Sequence, residues 1–280
     1  MIIFKKISDI QAHLALQTKK IGFVPTLGAL HKGHMSLINK AKEDGALVVC
    51  SIFVNPTQFN DKADFEKYPI TTDTDITMLV EAGCDILFLP SVDEIYPGGS
   101  ENVKSYAFGY LDTILEGAKR PGHFKGVGQV VSRLLDIVQP NYLYLGQKDY
   151  QQCMVLNKLT QLMGITNKTQ VIICPTVREE DGLAMSSRNS RLTETQRQIA
   201  VHIYQCLISI QSKQTTDSFQ TVQKECIDLL SEKGFVPEYV SLADASDLTL
   251  LDEYDSSLPM VALIAAKLGD VRLIDNMRLN

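Results

Sequence analysis

The stretch IGFVPTLGALHKGHMSLINKAKEDGALVVCSIFV, Ile21 to Val54, decides how this chain folds. IGFVP (21–25) is a short apolar run ended by proline and reads as a strand. HMSLINKAKED (34–44) carries apolar residues at 35, 37, 38 and 41, the stripe of an amphipathic helix. ALVVCSIFV (46–54) is apolar without alternation, as a strand buried on both faces must be. Strand, helix and fully apolar strand in that order form a right-handed crossover in a parallel sheet.

The pattern continues in the C-terminal direction. TDITMLVEAG (74–83) predicts a helix closed by Gly83, and DILFLP (85–90) a strand. GVGQVVSRLLDIV (126–138) predicts a helix, YLYLG (142–146) a strand, DYQQCMVLNKLTQLMG (149–164) a helix ending in glycine, and QVIICP (170–175) a last strand. The expected fold is α/β, a Rossmann-like parallel sheet with helices on both faces. After Pro175 the texture changes. A polar loop, TVREEDGLAMSSRNSRL, leads to a helix over 193–211 and a second near 218–233. Three β-like runs follow, EYVSLADASDL, MVALIAAKLG and VRLIDNMRL, predicting a smaller α+β domain with antiparallel strands. The boundary falls near 176, giving domains 1–176 and 177–280.

Bulk properties narrow the function. The chain has 280 residues, 45% of them apolar, enough to bury a substantial core. A net charge of −6 argues against a broad nucleic-acid surface but leaves room for a local basic pocket. MIIFKKISDI has no apolar h-region and is not a signal peptide, and no apolar run approaches the roughly 18–20 residues of a membrane helix. The six cysteines form no C-x-x-C pair and several sit in apolar runs, so they read as reduced and buried, in a cytoplasmic protein.

Parallel sheets bind ligands at the carboxyl ends of their strands, and the polar residues gather there. The first such end holds two of the five histidines, His31 and His34, at the start of a helix. Unpaired N–H groups and the positive dipole end make such a turn a phosphate site, and imidazole can donate to phosphate oxygens. Gly33 between them admits close approach. A zinc site or a plain N-capping turn also fits an isolated H-x-G-H. GLAMSSRNSRL (182–192) offers the Ser186 and Ser187 hydroxyls and the planar cation of Arg188, suited to phosphate. It is alternatively a linker. TETQ at 193–196 is a capping box, which explains Thr193 and not the residues before it. GQKDYQQ (146–152) presents Lys148, with Asp149 as a helix cap and Gln151 and Gln152 in the first turn. VNPTQF (54–59) presents Asn55 and Gln58, neutral groups able to hold a carboxylate or hydroxyls, or simply a turn. EGAKRPGHFKGV (116–127) gathers Lys119, Arg120, His123 and Lys125, either a solvated basic loop or a ligand or interface segment.

Together, an H-x-G-H turn and a Met-Ser-Ser-Arg loop resemble the superfamily of class I aminoacyl-tRNA synthetases and nucleotidylyltransferases, whose H-x-G-H and KMSKS-type segments clamp ATP. PTLGALHKGHMSLI, SIFVNPTQF, LEGAKRPGHFKGV, LGQKDYQQ and PTVREEDGLAMSSRN, in this order, are similar more closely to the pantoate–β-alanine ligases. That resemblance spans about residues 20 to 195, with a C-terminal part that fits in length and pattern. It implies ATP-dependent condensation of (R)-pantoate with β-alanine through a pantoyl adenylate, releasing AMP and diphosphate. It implies ATP contacts along Leu27, Gly28, Ala29, Leu30, His31, Lys32, Gly33 and His34, then Gly146, Gln147, Lys148 and Asp149, then Val177 and Met185, Ser186, Ser187 and Arg188. His34, His31, Lys148 and Arg188 would be catalytic, with His34 matching a residue described as a proton donor. Gln58 and Gln152, with Asn55 nearby, would hold pantoate and lie near the β-alanine path. Mg2+ would travel with ATP, with its protein ligands unassigned. Residues 1–176 would bind ATP and pantoate, residues 177–280 would form a lid carrying the Met-Ser-Ser-Arg loop, and the protein would be a homodimer. Two departures stand out: Leu27 where many members have Met, and Ile70 in KYPI (67–70) where many have Arg, before an acidic segment holding only Asp73 and Asp75. An adenylyltransferase acting on another small substrate, or a silent nucleotide-binding protein, stays open at this point; a tRNA synthetase is disfavoured by a short acidic chain with no anticodon module.

Overall fold

The computed structural model describes residues 1–59, 65–66, 68–99 and 103–279. The chain divides into two compact units, Met1–Gly146 with Gln151–Pro175, and Gln147–Tyr150 with Thr176–Asn280.

The first unit is built on six parallel strands: β1 (Ile2–Phe4), β2 (Ile21–Thr26), β3 (Leu47–Ile52), β4 (Ile86–Phe88), β5 (Tyr142–Gly146) and β6 (Gln170–Cys174). Their order across the sheet is β1-β4-β3-β2-β5-β6. The helices are α1 (Ile7–Leu14), α2 (Lys32–Glu43), α3 (Thr72–Glu81), α4 (Val92–Ile95), α5 (Leu115–Lys119), α6 (His123–Val138) and α7 (Tyr150–Leu162). The two-residue repeat of the strands divides their side chains between two apolar layers. Phe23, Val49, Ile86, Phe88 and Leu143 pack against α1 and α6 through Ile10, Val127, Val131, Leu134 and Leu135. Val24, Val48, Cys50, Leu87 and Tyr144 pack against α2 and α3 through Leu37, Ile38, Ala41 and Leu79. Both faces are therefore buried, which is why ALVVCSIFV lacks alternation.

The strands YLYLG and QVIIC lie where their composition puts them, and Gly83 and Gly164 follow their helices at φ +70° and +69°. The N-terminal β1–α1 pair is absent from the sequence-based reading: three edge residues are too few to show a period. Helix α6 starts at His123, three residues earlier than GVGQ predicts.

In the second unit, β7 (Phe235–Asp244), β8 (Leu250–Leu251), β9 (Met260–Leu268) and β10 (Val271–Arg278) form an antiparallel sheet in the order β10-β9-β7-β8. Helices α9 (His202–Lys213) and α10 (Phe219–Glu232) bury Ile203, Leu207, Ile210, Val222 and Leu230 in one core with Val240, Leu242, Ala262 and Ile264. The helix expected over 193–211 is interrupted. A short helix α8 (Glu194–Ile199) precedes α9, and the Ile199 carbonyl accepts from His202 Nδ1 at 2.7 Å instead of continuing the ladder. Thr193 caps α8 in the expected capping box, donating its N–H to Gln196 Oε1 at 3.0 Å and accepting from Gln196 N at 3.2 Å.

All six cysteines are buried thiols. Burial pushes Cys84 and Cys174 up to about 11. Among the described residues no helix is long and apolar enough to cross a membrane.

Candidate active site

Sheet order locates the functional end of the first unit. The chain proceeds from β2 outward through β3 and β4, then returns to β5 on the other side of β2. A reversal of strand order of this kind is where parallel sheets bind ligands, at the carboxyl ends of the two neighbouring strands, here Thr26 and Gly146.

The loop after β2 carries the paired histidines. His31 is the N-cap of α2, in extended backbone, and its Nδ1 accepts from Gly33 N at 3.2 Å. His34 sits at the third helical position, and its Nδ1 accepts from His31 N at 3.3 Å. This is a reciprocal capping box made from two imidazoles in place of the usual Ser and Glu. The rings lie 4.1 Å apart between centroids, tilted by 46°. Because each Nδ1 accepts from a backbone N–H, each neutral ring carries its proton on Nε2, the nitrogen that can donate to a phosphate oxygen. Capping thus uses the Nδ1 edge of each ring.

Ahead of this turn, Gly28 and Ala29 have positive φ, +82° and +49°. Their loop rests on Asp75 of α3, which is 1% exposed. Asp75 belongs to the acidic segment in which the sequence assigns no metal ligand. Both its oxygens are used inside the protein: Oδ2 accepts from Ala29 N at 2.9 Å, and Oδ1 from Leu30 N at 2.8 Å and Thr71 Oγ1 at 3.0 Å. Of KYPI, Lys67 lies outside the described residues, and Ile70 is 79% exposed.

A second polar cluster follows β3. Asn55 is completely buried and caps the turn Pro56–Gln58. Backbone groups fix its amide: Oδ1 faces Thr57 N at 3.4 Å and Nδ2 donates to Gly126 O at 3.2 Å. Tyr96 donates to the same Oδ1 at 2.9 Å, and burial raises the Tyr96 hydroxyl above its ordinary pKa. Nδ2 also donates to Gln58 Oε1 at 3.3 Å. What Gln58, 8% exposed, can offer a ligand is therefore the Nε2 amide, a donor. Asn55, expected beside the substrate, is engaged in orienting Gln58.

His123, read from the sequence only as part of a basic segment, completes this cluster. Its Nδ1–H donates to Gln58 O at 2.8 Å, leaving Nε2 to accept from Arg120 Nη1 at 3.0 Å. Helix α6 then crosses the 56–58 turn closely. A β-carbon on Gly126 would lie 2.2 Å from the Thr57 carbonyl oxygen. Gly126→Ala is expected to destabilise the protein by about 1–3 kcal/mol through overpacking. Thermal denaturation checks this, and an unchanged melting temperature would show that the turn yields freely.

Helix α7 carries the two adjacent glutamines. Gln151 is buried and structural: Oε1 accepts from Glu116 N at 2.9 Å, and Nε2 donates to Leu111 O at 2.8 Å and Ile114 O at 3.1 Å. Gln152, one residue on, is half-buried on another side of the helix.

The remaining candidates lie in the second unit. Gln147, Lys148 and Asp149 form a 3-10 turn held by Asn276 of β10, which donates from Nδ2 to Gln147 O at 2.9 Å and Lys148 O at 2.8 Å. Lys148 Nζ lies 3.6 Å from Asp149 Oδ1. The adjacent Asp275 takes Arg178 in a two-pronged ion pair, at 2.5 and 3.1 Å, and Arg178 also donates to Gly182 O at 3.0 Å. Met185 N donates to Val177 O at 3.0 Å, closing the base of the loop. Ser186 caps the 3-10 turn Ser187–Arg191 by accepting from Arg188 N at 3.2 Å. Asp275, Asn276 and Arg178 escape the sequence reading. Their signal is two consecutive polar residues in VRLIDNMRL, where alternation would bury only one.

Residues 2–278 match the family model described as pantoate-beta-alanine ligase. The chain is 45% identical to the pantothenate synthetase of Cytophaga hutchinsonii, over 99% of both chains. Its structure is similar to the crystal structure of pantothenate synthetase from Thermus thermophilus, with a TM-score of 0.92, 36% identity and coverage of 100% of this chain and 99% of that one. It is also similar to the pantoate-beta-alanine ligase of Francisella tularensis, crystallised with beta-gamma ATP and beta-alanine, with a TM-score of 0.83, 38% identity and coverage of 100% and 98%.

Proposed function

This chain belongs to the pantoate–β-alanine ligase family and joins pantoate to β-alanine with ATP, and we propose that it does so through an acyl adenylate. A carboxylate is a poor acyl donor and AMP a good leaving group. In the first step a carboxylate oxygen of (R)-pantoate attacks the α-phosphorus of ATP, forming the mixed anhydride and releasing diphosphate. In the second the amine of β-alanine attacks the acyl carbon, AMP departs, and the amide remains.

The observation that carries this reading is the imidazole capping box, which fixes an Nε2–H on both His31 and His34. Preorganised donors of this kind act on charge that develops at phosphate oxygens, and cost no reorganisation when it does. His34 protonates or hydrogen-bonds the departing diphosphate, and His31 contacts the phosphates. Leu27 to Leu30, Lys32 and Gly33 line the nucleotide, with Gly146, Gln147, Asp149 and Val177. Lys148 and Arg188 bring fixed positive charge to the triphosphate, and Met185, Ser186 and Ser187 close over it. Gln58 donates from Nε2 to pantoate, Gln152 binds it as well, and Asn55 acts through Gln58. Residues 1–176 bind ATP and pantoate, and residues 177–280 supply the Met185–Arg188 loop. Mg2+ accompanies ATP and neutralises part of its phosphate charge, with its protein ligands unassigned. We place the protein in the cytoplasm as a homodimer.

Isotope exchange between pyrophosphate and ATP, with pantoate present and β-alanine absent, tests the two-step course. Exchange that depends on pantoate is the expected result. No exchange under conditions where the full reaction turns over would overturn the adenylate intermediate.

A further inference from the structure

The segment between β2 and the histidine turn is built as an anion-binding nest. Gly28 and Ala29 take left-handed φ in succession, +82° and +49°. Backbone in this region turns neighbouring N–H groups toward a common point and forms a concavity for a negative charge. Glycine adopts the conformation freely, whereas Ala29 is held in it against its own preference. The charge that fills the nest belongs to the protein. Asp75 receives Ala29 N at 2.9 Å on one oxygen and Leu30 N at 2.8 Å on the other. Thr71 Oγ1 supports the second oxygen at 3.0 Å. The fit leaves no slack: a β-carbon on Gly28 would meet Asp75 Oδ2 at 3.1 Å and Ile52 Cγ2 at 3.1 Å. Leu30, whose N–H the carboxylate holds, directly precedes His31.

We propose that Asp75 is a positioning residue for adenylate formation: its carboxylate fills the backbone nest ahead of His31 and holds the turn in the conformation from which His31 and His34 act on ATP. The inference rests on the reading of that turn as the phosphate-handling site. Asp75 touches no substrate. Its action passes through two backbone N–H groups to the rings, and it also occupies a concavity that could otherwise draw a phosphate oxygen out of register.

The test is a coupling measurement. Asp75→Asn keeps the shape but turns one acceptor into an NH2 facing a backbone N–H. In the folded full-length protein, pantoate-dependent pyrophosphate–ATP exchange should slow by about 10- to 100-fold, the scale set by small misplacements of reacting groups. The KM for β-alanine in the complete reaction should stay within about twofold, because the change acts on the adenylate-forming step. Rates are taken per folded molecule, read from a melting curve, so that loss of fold is not counted. In a His34→Ala background the same change should cost less than about threefold, because residues acting as one unit are not additive. Additive losses, or wild-type exchange by Asp75→Asn, would overturn the proposal. If Asp75→Asn does not fold, Thr71→Val decides: it removes one support of the carboxylate and should slow exchange by about two- to fivefold, roughly 1 kcal/mol at the upper end, and unchanged exchange overturns the proposal. Wild-type exchange by His34→Ala would sink the reading of the turn itself, whereas an inactive His34→Ala beside a fully active Asp75→Asn sinks only the role of Asp75.

Discussion

His34→Ala is expected to lower pantoate-dependent pyrophosphate–ATP exchange by about 10²–10⁴-fold, the usual contribution of one acid–base group, while the protein stays folded. The second half of that expectation needs an argument, because His34 also caps its own helix. The bond it would lose is His31 N to His34 Nδ1, at 3.3 Å. An N-terminal cap contributes about 1 kcal/mol, against roughly 5–15 kcal/mol for a folded protein. The two roles can be separated by His34→Gln. Glutamine at the third helical position is a natural capping-box residue and can accept the same N–H. It has no imidazole to present an Nε2–H. The glutamine variant should therefore melt close to wild type and remain at least about tenfold slow. Kinetics and melting curves on both variants check this. Recovery of turnover in the glutamine variant would mean that the turn matters for its shape alone.

Arg178→Met is expected to cost about 3–5 kcal/mol of stability, the penalty for leaving one member of a buried ion pair behind. Arg178 is tied to Asp275 by two bonds, to the Gly182 and Asn276 carbonyls by two more, and lies 4.4 Å over the Tyr204 ring. Asp275 is 5% exposed. Burial already holds its carboxyl above the ordinary 3.8, with Arg178 pulling the other way. Removing the guanidinium takes away the largest influence opposing burial and leaves only the Asn276 N–H and the Lys148 charge, so the folded pKa rises further. A group whose folded pKa exceeds its unfolded value binds its proton more tightly in the folded state. Its contribution is favourable below the unfolded pKa and is lost as pH rises through the folded one. The gap in melting temperature between wild type and variant should thus be narrow near pH 4 and widen toward neutral pH. A gap independent of pH would show that Asp275 is not the charge left unpaired. Adding Asp275→Asn should recover part of the loss at neutral pH and little of it at acid pH.

Much of this protein is legible locally. The alternation of apolar strands and helical stripes from Ile21 to Cys174 specifies a parallel sheet, because short-range periodicity reports which faces are buried. The capping box at Thr193 and the glycines that close α3 and α7 are set by residues within one turn of each other. So is the histidine cap: its two bonds join residues two and three apart, and two of the chain's five histidines fall in that single turn. Which nitrogen of each ring makes the cap is seen only in the fold, where both bonds fall on Nδ1.

The supports of the site are another matter. Asp75 meets Ala29 and Leu30 across 46 and 45 residues of sequence, Asn55 meets Gly126 across 71, and Asn276 meets Lys148 across 128. In the sequence Asp75 is one carboxylate in a helical pattern, Asn55 a candidate ligand group or turn residue, and Asn276 a polar residue in a strand-like run. Their partners are backbone N–H and C=O groups, present at nearly every position and thus carrying no signal of their own. The sequence alone therefore determined the strands and helices and the candidate side chains that follow β2 and β3. Only the tertiary structure decided which polar residues hold them there, because a buried polar group must find its hydrogen bonds wherever the packed chain presents them.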